Sequence, residues 1–356
     1  MRIFECARCH HAAFFENTRC VHCDAVLAYD FEQDKMLSLE PMAHTPPSNQ
    51  PSTIYQSFTD GQKYHLCQNN SQYGVCNSAI VEKNSGQYCS SCQLNELIPD
   101  LSVAGNLAAW QAVEQAKRRL IYTLYQLGLP VNRDKNGLPT GLRFAFLADS
   151  IGQNNVMTGH DAGLITINIA EADAPFREKL RVDMGEGYRT LLGHFRHEIG
   201  HFYWDILVRN SKWLSEFRTL FGDENQNYSE ALQRHYECGP VPGWQSDFIS
   251  SYATMHPWED WAETWAHYMH MIDTLETARF YGLSLDARIS LDAETLSTGS
   301  IAVKKADFKE LMAGWIPLTV ALNSLNRSMG LKDPYPFKLT SHIVQKIEFV
   351  HRLINN

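Results

Sequence analysis

The sequence has no apolar run approaching the roughly 18 residues needed to span a bilayer, so no membrane-embedded segment or membrane partner is expected. Its opening residues, Met1-Arg2-Ile3-Phe4-Glu5-Cys6, lack the apolar stretch of a secretory signal, which points to a cytoplasmic protein. Positive charge is scarce: 31 Lys+Arg face 40 Asp+Glu, a net charge of −9. That balance disfavours a sequence-independent grip on nucleic acid or on an anionic lipid surface. Low-complexity tracts are missing too. With 44% hydrophobic and 20% charged residues, the composition excludes global disorder. A length of 356 residues leaves room for two or three domains.

Cysteine is nearly absent after residue 92, where only Cys238 remains, and is concentrated before it. Cys6-x2-Cys9 and Cys20-x2-Cys23 are two knuckles, each placing two thiolates on one side of a tight turn. Together they complete a closed, tetrahedral, structural Zn site. A second quartet, Cys67, Cys76, Cys89 and Cys92, pairs one normal knuckle with one stretched across Gln68 to Val75, and is read as a second structural Zn site. In a reducing compartment such spacing signifies metal ligation rather than disulfides. His10, His11, His22 and His65 are alternative ligands, but four thiolates per site already suffice. Residues 1–100 hold six Lys+Arg against eleven Asp+Glu. Two four-thiolate Zn centres would add further negative charge, so these ribbons are expected to stabilise the fold or recognise a protein, not a phosphate backbone.

The remaining organisation follows from punctuation. Residues 1–40 are read as the first ribbon and the Pro/Ser/Thr-rich stretch as a linker (41–60, its core Pro41 to Ser57). Residues 61–100 are read as a second ribbon-like unit, 101–285 as a catalytic core and 286–356 as a C-terminal helical extension. Helical periodicity runs from Ala104 to Leu127, and strands are expected at Leu142–Ala148 and Leu164–Ile169. Further helices are expected near Tyr188–Val208, Ser229–Glu237, Trp258–Tyr281, Lys305–Met329 and Ser341–Ile354. A small sheet followed by helices makes the catalytic domain α+β and mostly helical. The Leu164–Ile169 strand is a candidate edge for an added peptide strand.

Residues 197–201 read His-Glu-Ile-Gly-His, an HExxH motif. On a helix, His197 and His201 share one face and can grip one cation, while Glu198 is turned away from that stripe and suits a general base. Trp204 and Leu207 stand where a longer HExxHxxGxxH motif needs Gly and His, so the third ligand must come from elsewhere. Asp205 lies two turns beyond His197, too far to share the ion, and is placed in the ligands' surroundings. In Trp258-Glu259-Asp260-Trp261-Ala262-Glu263, the carboxylates of Glu259 and Glu263 stand at i, i+4 among tryptophans. Glu259 is assigned as the third Zn ligand and Glu263 as the brace of a ligand histidine, the gluzincin arrangement. His160, His256 and His267 are read as structural, and Cys238 as a buried inert thiol rather than a fourth ligand.

The N-terminal cysteine ribbons, HEIGH, and the SYAT-x-HPWEDWAETWAHY block together resemble a family of zinc-binding metallopeptidases that carry an N-terminal zinc ribbon. The resemblance runs from Phe4 and Cys6 through Glu16-Asn17-Thr18 to Tyr335-Pro336-Phe337. It implies a gluzincin-like peptidase with one active-site Zn acting on a peptide or protein. It also implies that Tyr252, seven residues before Glu259, points into the site. The expectation is hydrolysis by activated water, with Glu198 as base and Tyr252 steadying the oxyanion. Two alternatives stay open: a protein-binding or regulatory zinc-ribbon module with an idle zincin site, and a zinc-ribbon regulator of transcription.

Overall fold

The computed structural model describes residues 1–42, 53–84, 86–134, 136–149, 156, 158–183, 190–285, 296–297 and 306–356. The chain divides into two compact units, Met1–Asp173 and Ala174–Asn356.

In the first unit, β1 (Phe4–Glu5) pairs antiparallel with β2 (Ala12–Ala13) around the first cysteine knuckle. His10 and Asp24, each following the last cysteine of a knuckle, adopt left-handed φ of 61° and 59°, which turns the chain back sharply. Five strands then form one antiparallel sheet in sequential order: β3 (Val26–Asp30), β4 (Lys35–Pro41), β5 (Ile54–Ser57), β6 (Lys63–Leu66) and β7 (Ala79–Val81). Ala28, Leu37, Leu39, Tyr64 and Ala79 form its buried core. Both ends of the expected linker, Pro41 and Ile54–Ser57, therefore lie in strands, and 43–52 fall outside the described residues. A four-residue strand beside a Pro/Ser run carries too little period-2 pattern to be read from sequence.

The stretched knuckle has a simple cause. A short helix, α1 (Gln68–Ser71), occupies the spacer, and the amides of Asn70 and Ser71 bond back to the Cys67 carbonyl at 2.8 and 3.0 Å. The extra residues are one helical turn, and Cys67 and Cys76 still meet.

A second sheet in this unit has the order β10 (Gly159–Asp161), β11 (Leu164–Asn168), β9 (Arg143–Leu147), β8 (Asn95–Leu97). Here the sequence expectation needs correcting. The strand at Leu164 is not an edge, because β10 covers one side and β9 the other.

Helix α2 (Asn106–Gln126) buries Trp110, Val113, Leu120, Ile121 and Leu124. It also buries an ion pair, Glu114–Lys117, at 2.6 Å. Lys117 Nζ donates further to the Ser91 carbonyl (2.9 Å) and Asn95 Oδ1 (2.6 Å), and Glu114 lies 3.7 Å from Cys92 Sγ. Arg118 bonds to Asn77, and the Tyr122 ring packs 5.2 Å from that of Phe15. The helix is thus joined to both cysteine clusters, and the boundary expected near residue 100 falls inside one compact unit.

The second unit is helical: α3 (Ala174–Asp183), α4 (Leu191–Leu207), α5 (Leu214–Phe221), α6 (Tyr228–Cys238), α7 (Pro257–Phe280), α8 (Phe308–Ser328) and α9 (Ser341–Ile354). A two-residue pairing joins β12 (Ser284–Leu285) to β13 (Leu296–Ser297). Helix α7 is the hub. Its Trp261 ring lies 6.2, 5.9 and 6.0 Å from Phe217, Phe221 and Phe349, which brings α5 and α9 onto it. A buried ion pair between Asp260 and Lys346 (2.6 Å) fastens α9 to the same helix. Residues 286–295 and 298–305 of the expected C-terminal extension lie outside the described residues. The class is mixed α+β, with the ribbons first and a helical portion after. Among the described residues, no helix is long and apolar enough to cross a membrane.

Candidate metal centre

Thr190 starts α4 by accepting the Gly193 amide on its hydroxyl at 3.0 Å. His256 starts α7 in the same way, accepting from the Trp258 amide at 3.1 Å, with Pro257 at the first helical position. The two helices cross closely at Gly200, inside the HEIGH motif. A Cβ there would stand 3.1 Å from Ala262 Cα and 3.2 Å from Trp265 Cβ. Trp261 Nε1 donates to the Gly200 carbonyl at 2.8 Å, locking the crossing. A glycine at this point is what lets a carboxylate on α7 reach imidazoles on α4.

That carboxylate is Glu259. His197 Nε2 lies 2.9 Å from its Oε2, and His201 Nε2 lies 3.5 Å from its Oε1. All three side chains are buried, and their ligand atoms fall within 4.8 Å of one another. Two ligands at 2.0–2.1 Å from a tetrahedral zinc stand about 3.3 Å apart, between these two separations. The donor set is also chemically apt. His197 Nδ1 is 2.7 Å from Glu263 Oε1, and donating its proton there leaves the lone pair of Nε2 facing a carboxylate oxygen. Two acceptors so placed repel each other unless a cation or proton lies between them. Burial disfavours the His197 imidazolium, yet its bonds to Glu259 and Glu263 outweigh that and hold its pKa well above the usual 6.5. Burial likewise opposes ionisation of Glu259, and the charges of His201 and His197 overturn it, leaving its pKa well below 4.5.

Glu198 is buried beside this trio. Its Oε1 lies 3.2 Å from His194 Nε2, one turn earlier on α4. Burial raises the Glu198 pKa, but the His194 bond and the surrounding histidine charges win and leave it below 4.5, so it is a carboxylate at neutral pH. Tyr252 opens a short 3-10 turn, with its ring 6.0 Å from that of His197. It is hydrogen-bonded to Tyr228, whose hydroxyl donates to Glu259 Oε1 at 2.9 Å. Burial and then the Glu259 charge push both phenols far above 10, so both remain protonated donors.

Sequence reasoning missed His194 and Tyr228. The first was findable, standing at i−4 from Glu198. The second was not, because Tyr228 lies on a separate helix 31 residues before Glu259. Asp205, expected near the ligands, forms an ion pair with Arg209 at 2.7 Å. His256 caps α7 and reaches the Gln226 carbonyl (3.1 Å), His267 bonds to the Tyr335 hydroxyl (3.1 Å), and His160 accepts the Gly163 amide (3.1 Å). Cys238 is exposed at the end of α6 rather than buried.

The cysteines gather as their spacing requires. Cys6, Cys9, Cys20 and Cys23 bring their sulfurs within 4.8 Å of one another, and so do Cys67, Cys76, Cys89 and Cys92. In the second cluster, the amides of Ser78 and Cys89 point at Cys76 Sγ and Cys67 Sγ, both at 3.4 Å, an arrangement that favours thiolates.

Residues 3–103 match a zinc-ribbon domain, and residues 106–353 match a family described as "putative zinc-binding metallo-peptidase". Uncharacterized proteins of Mycobacterium tuberculosis strains H37Rv and CDC 1551 and of Mycobacterium bovis are 40% identical over 357 residues. The match covers 100% of this chain and 96% of theirs. No solved structure matches. The chain belongs to that zinc-binding metallo-peptidase family, preceded by a zinc-ribbon domain.

Proposed function

We propose that this chain is a gluzincin-like peptidase that hydrolyses peptide bonds in a peptide or protein. The observation that carries the reading is the convergence of His197, His201 and Glu259, with Glu263 behind His197. These three residues would hold one zinc. Bound there, zinc supplies Lewis acidity and lets water ionise near neutral pH. The protein does the rest. Glu198, a carboxylate steadied by His194, takes a proton from the attacking water and returns it to the departing amine. Tyr252, whose proton rests on the Tyr228 hydroxyl, would turn that proton to the carbonyl oxygen as it gains charge, while Tyr228 keeps its own bond to Glu259. Glu263 holds His197 in the tautomer that leaves Nε2 free for the metal. The two cysteine quartets would each hold a structural zinc, giving three ions per chain.

The test is Glu198→Gln, which keeps the shape of the side chain and removes the base. Zinc content should stay at the wild-type level while hydrolysis collapses. Cleaved termini from an unfolded protein mixture, compared between wild type and this variant, would identify the substrates. Turnover undiminished in Glu198→Gln rejects the peptidase reading. No turnover in either protein favours a protein-binding module with an idle site.

A further inference from the structure

His11 and His22 belong to none of the three candidate metal centres described above. Both are exposed, yet their rings stack face to face with centroids 3.7 Å apart and an interplanar angle of 9°. One ring nitrogen of each lies within 4.8 Å of the other and of Cys9 Sγ. His11 follows the first knuckle, and His22 sits inside the second. Cys9 is only half-buried, and its sulfur lies 3.5 Å from Cys20 Sγ in the cysteine cluster.

The chemistry of this trio is specific. Four thiolates around one zinc carry an excess of two negative charges, and a zinc-bound thiolate keeps lone pairs able to bridge to another metal. Two imidazoles beside such a sulfur complete a nitrogen–nitrogen–sulfur set. That set suits borderline and soft cations such as Zn2+, and not the oxygen-seeking Mg2+ or Ca2+. In the stack the two in-plane lone pairs run parallel, so sharing one ion requires the rings to swing out of the stack, a rotamer change that their exposure permits.

We propose that His11, His22 and Cys9 form a second, solvent-facing cation site on the first ribbon, taking one Zn2+ with the Cys9 thiolate shared between two ions. The site rests on the ribbon holding its own zinc and is independent of peptidase activity. The open position left by three protein ligands makes it an exchangeable site.

The test uses the full chain with its tightly held zinc in place, titrated with Zn2+ against a competing chelating dye. Wild type should take up one equivalent more than His11→Ala/His22→Ala. The ring-nitrogen resonances of His11 and His22 should shift together as that equivalent is added. With Cd2+ as the added cation, new ultraviolet sulfur-to-metal absorption should accompany it. No extra equivalent in wild type, or the same extra equivalent in the double variant, overturns the site. Loss of a tightly held zinc from the double variant also overturns it, since the histidines would then serve the ribbon's own ion. Uptake without the sulfur band overturns the bridging role of Cys9.

Discussion

Glu259 and Glu263 stand one helical turn apart and touch opposite nitrogens of the same imidazole, which makes their roles separable by substitution. Glu259→Ala should release the zinc of the helical unit and leave the two cysteine-bound ions, as read by metal analysis. Glu263→Ala should keep that zinc but weaken its affinity, or the activity, by roughly 10–100-fold. Loss of the ion from Glu263→Ala with retention in Glu259→Ala would exchange the two roles. The tyrosines divide in a similar way. Tyr252→Phe should lower kcat by about 10²–10³ with zinc retained, the cost of one lost oxyanion donor. Tyr228→Phe removes a bond to a ligand and should show chiefly as weaker metal binding. At this scale the sequence was most legible where placement follows helical spacing: the gathering of His197, His201, Glu259 and Glu263, with Glu198 beside them. It was silent on Tyr228, whose approach depends on a loop and a separate helix.

The crossing of α4 and α7 depends on one missing Cβ. In Gly200→Ala the new methyl would meet the backbone of Ala262, so the helices must shift by a few tenths of an ångström. Gly200→Val has no such accommodation. It should destabilise the helical unit by about 1–3 kcal/mol, an overpacking cost, and weaken zinc binding by drawing Glu259 away from α4. Urea unfolding and metal titration of the same sample would separate the two effects. Elements with strong 3.6-residue periodicity, α2, α4, α7 and α9, were read from sequence to within a few residues. Helices α3 and α5, with 10 and 8 residues, offered too short a pattern. The five-stranded sheet was hidden for a different reason. Its strands alternate with cysteine knuckles and a Pro-rich stretch, so turn signals outweighed the short apolar runs.

For the whole molecule, metal analysis after removal of exchangeable ions should give three tightly held zinc ions per chain; one ion, or a freely alkylated second quartet in the folded protein, would reject that count. The division at Asp173 also has a consequence for fragments. Residues 1–173 should fold and hold two zinc ions, whereas 1–100 should not, because α2 supplies the core beneath both ribbons. In the second unit, Asp260 is buried, and burial lifts its pKa to about 7 despite the opposing charge of Lys346. Lys346→Met leaves that carboxyl without its cation and should cost about 3–5 kcal/mol at pH 8. The loss should shrink at pH 5.5, where the folded state binds a proton that the unfolded Asp, with its ordinary pKa near 3.8, does not. A loss equal at both pH values would mean that Asp260 is not the group responsible. The Glu114–Lys117 pair carries the remaining consequence. Lys117 is tied to Ser91 and Asn95, on either side of Cys92, so the turn that carries this thiolate also encloses the pair. If the second quartet loses its ion and this turn opens, two charges at the centre of a 21-residue helix are left facing an unfilled interior. Zinc supply and the integrity of α2 then form a single equilibrium. The amide protons of Asn106–Gln126 should exchange with solvent at a rate set by the free zinc concentration.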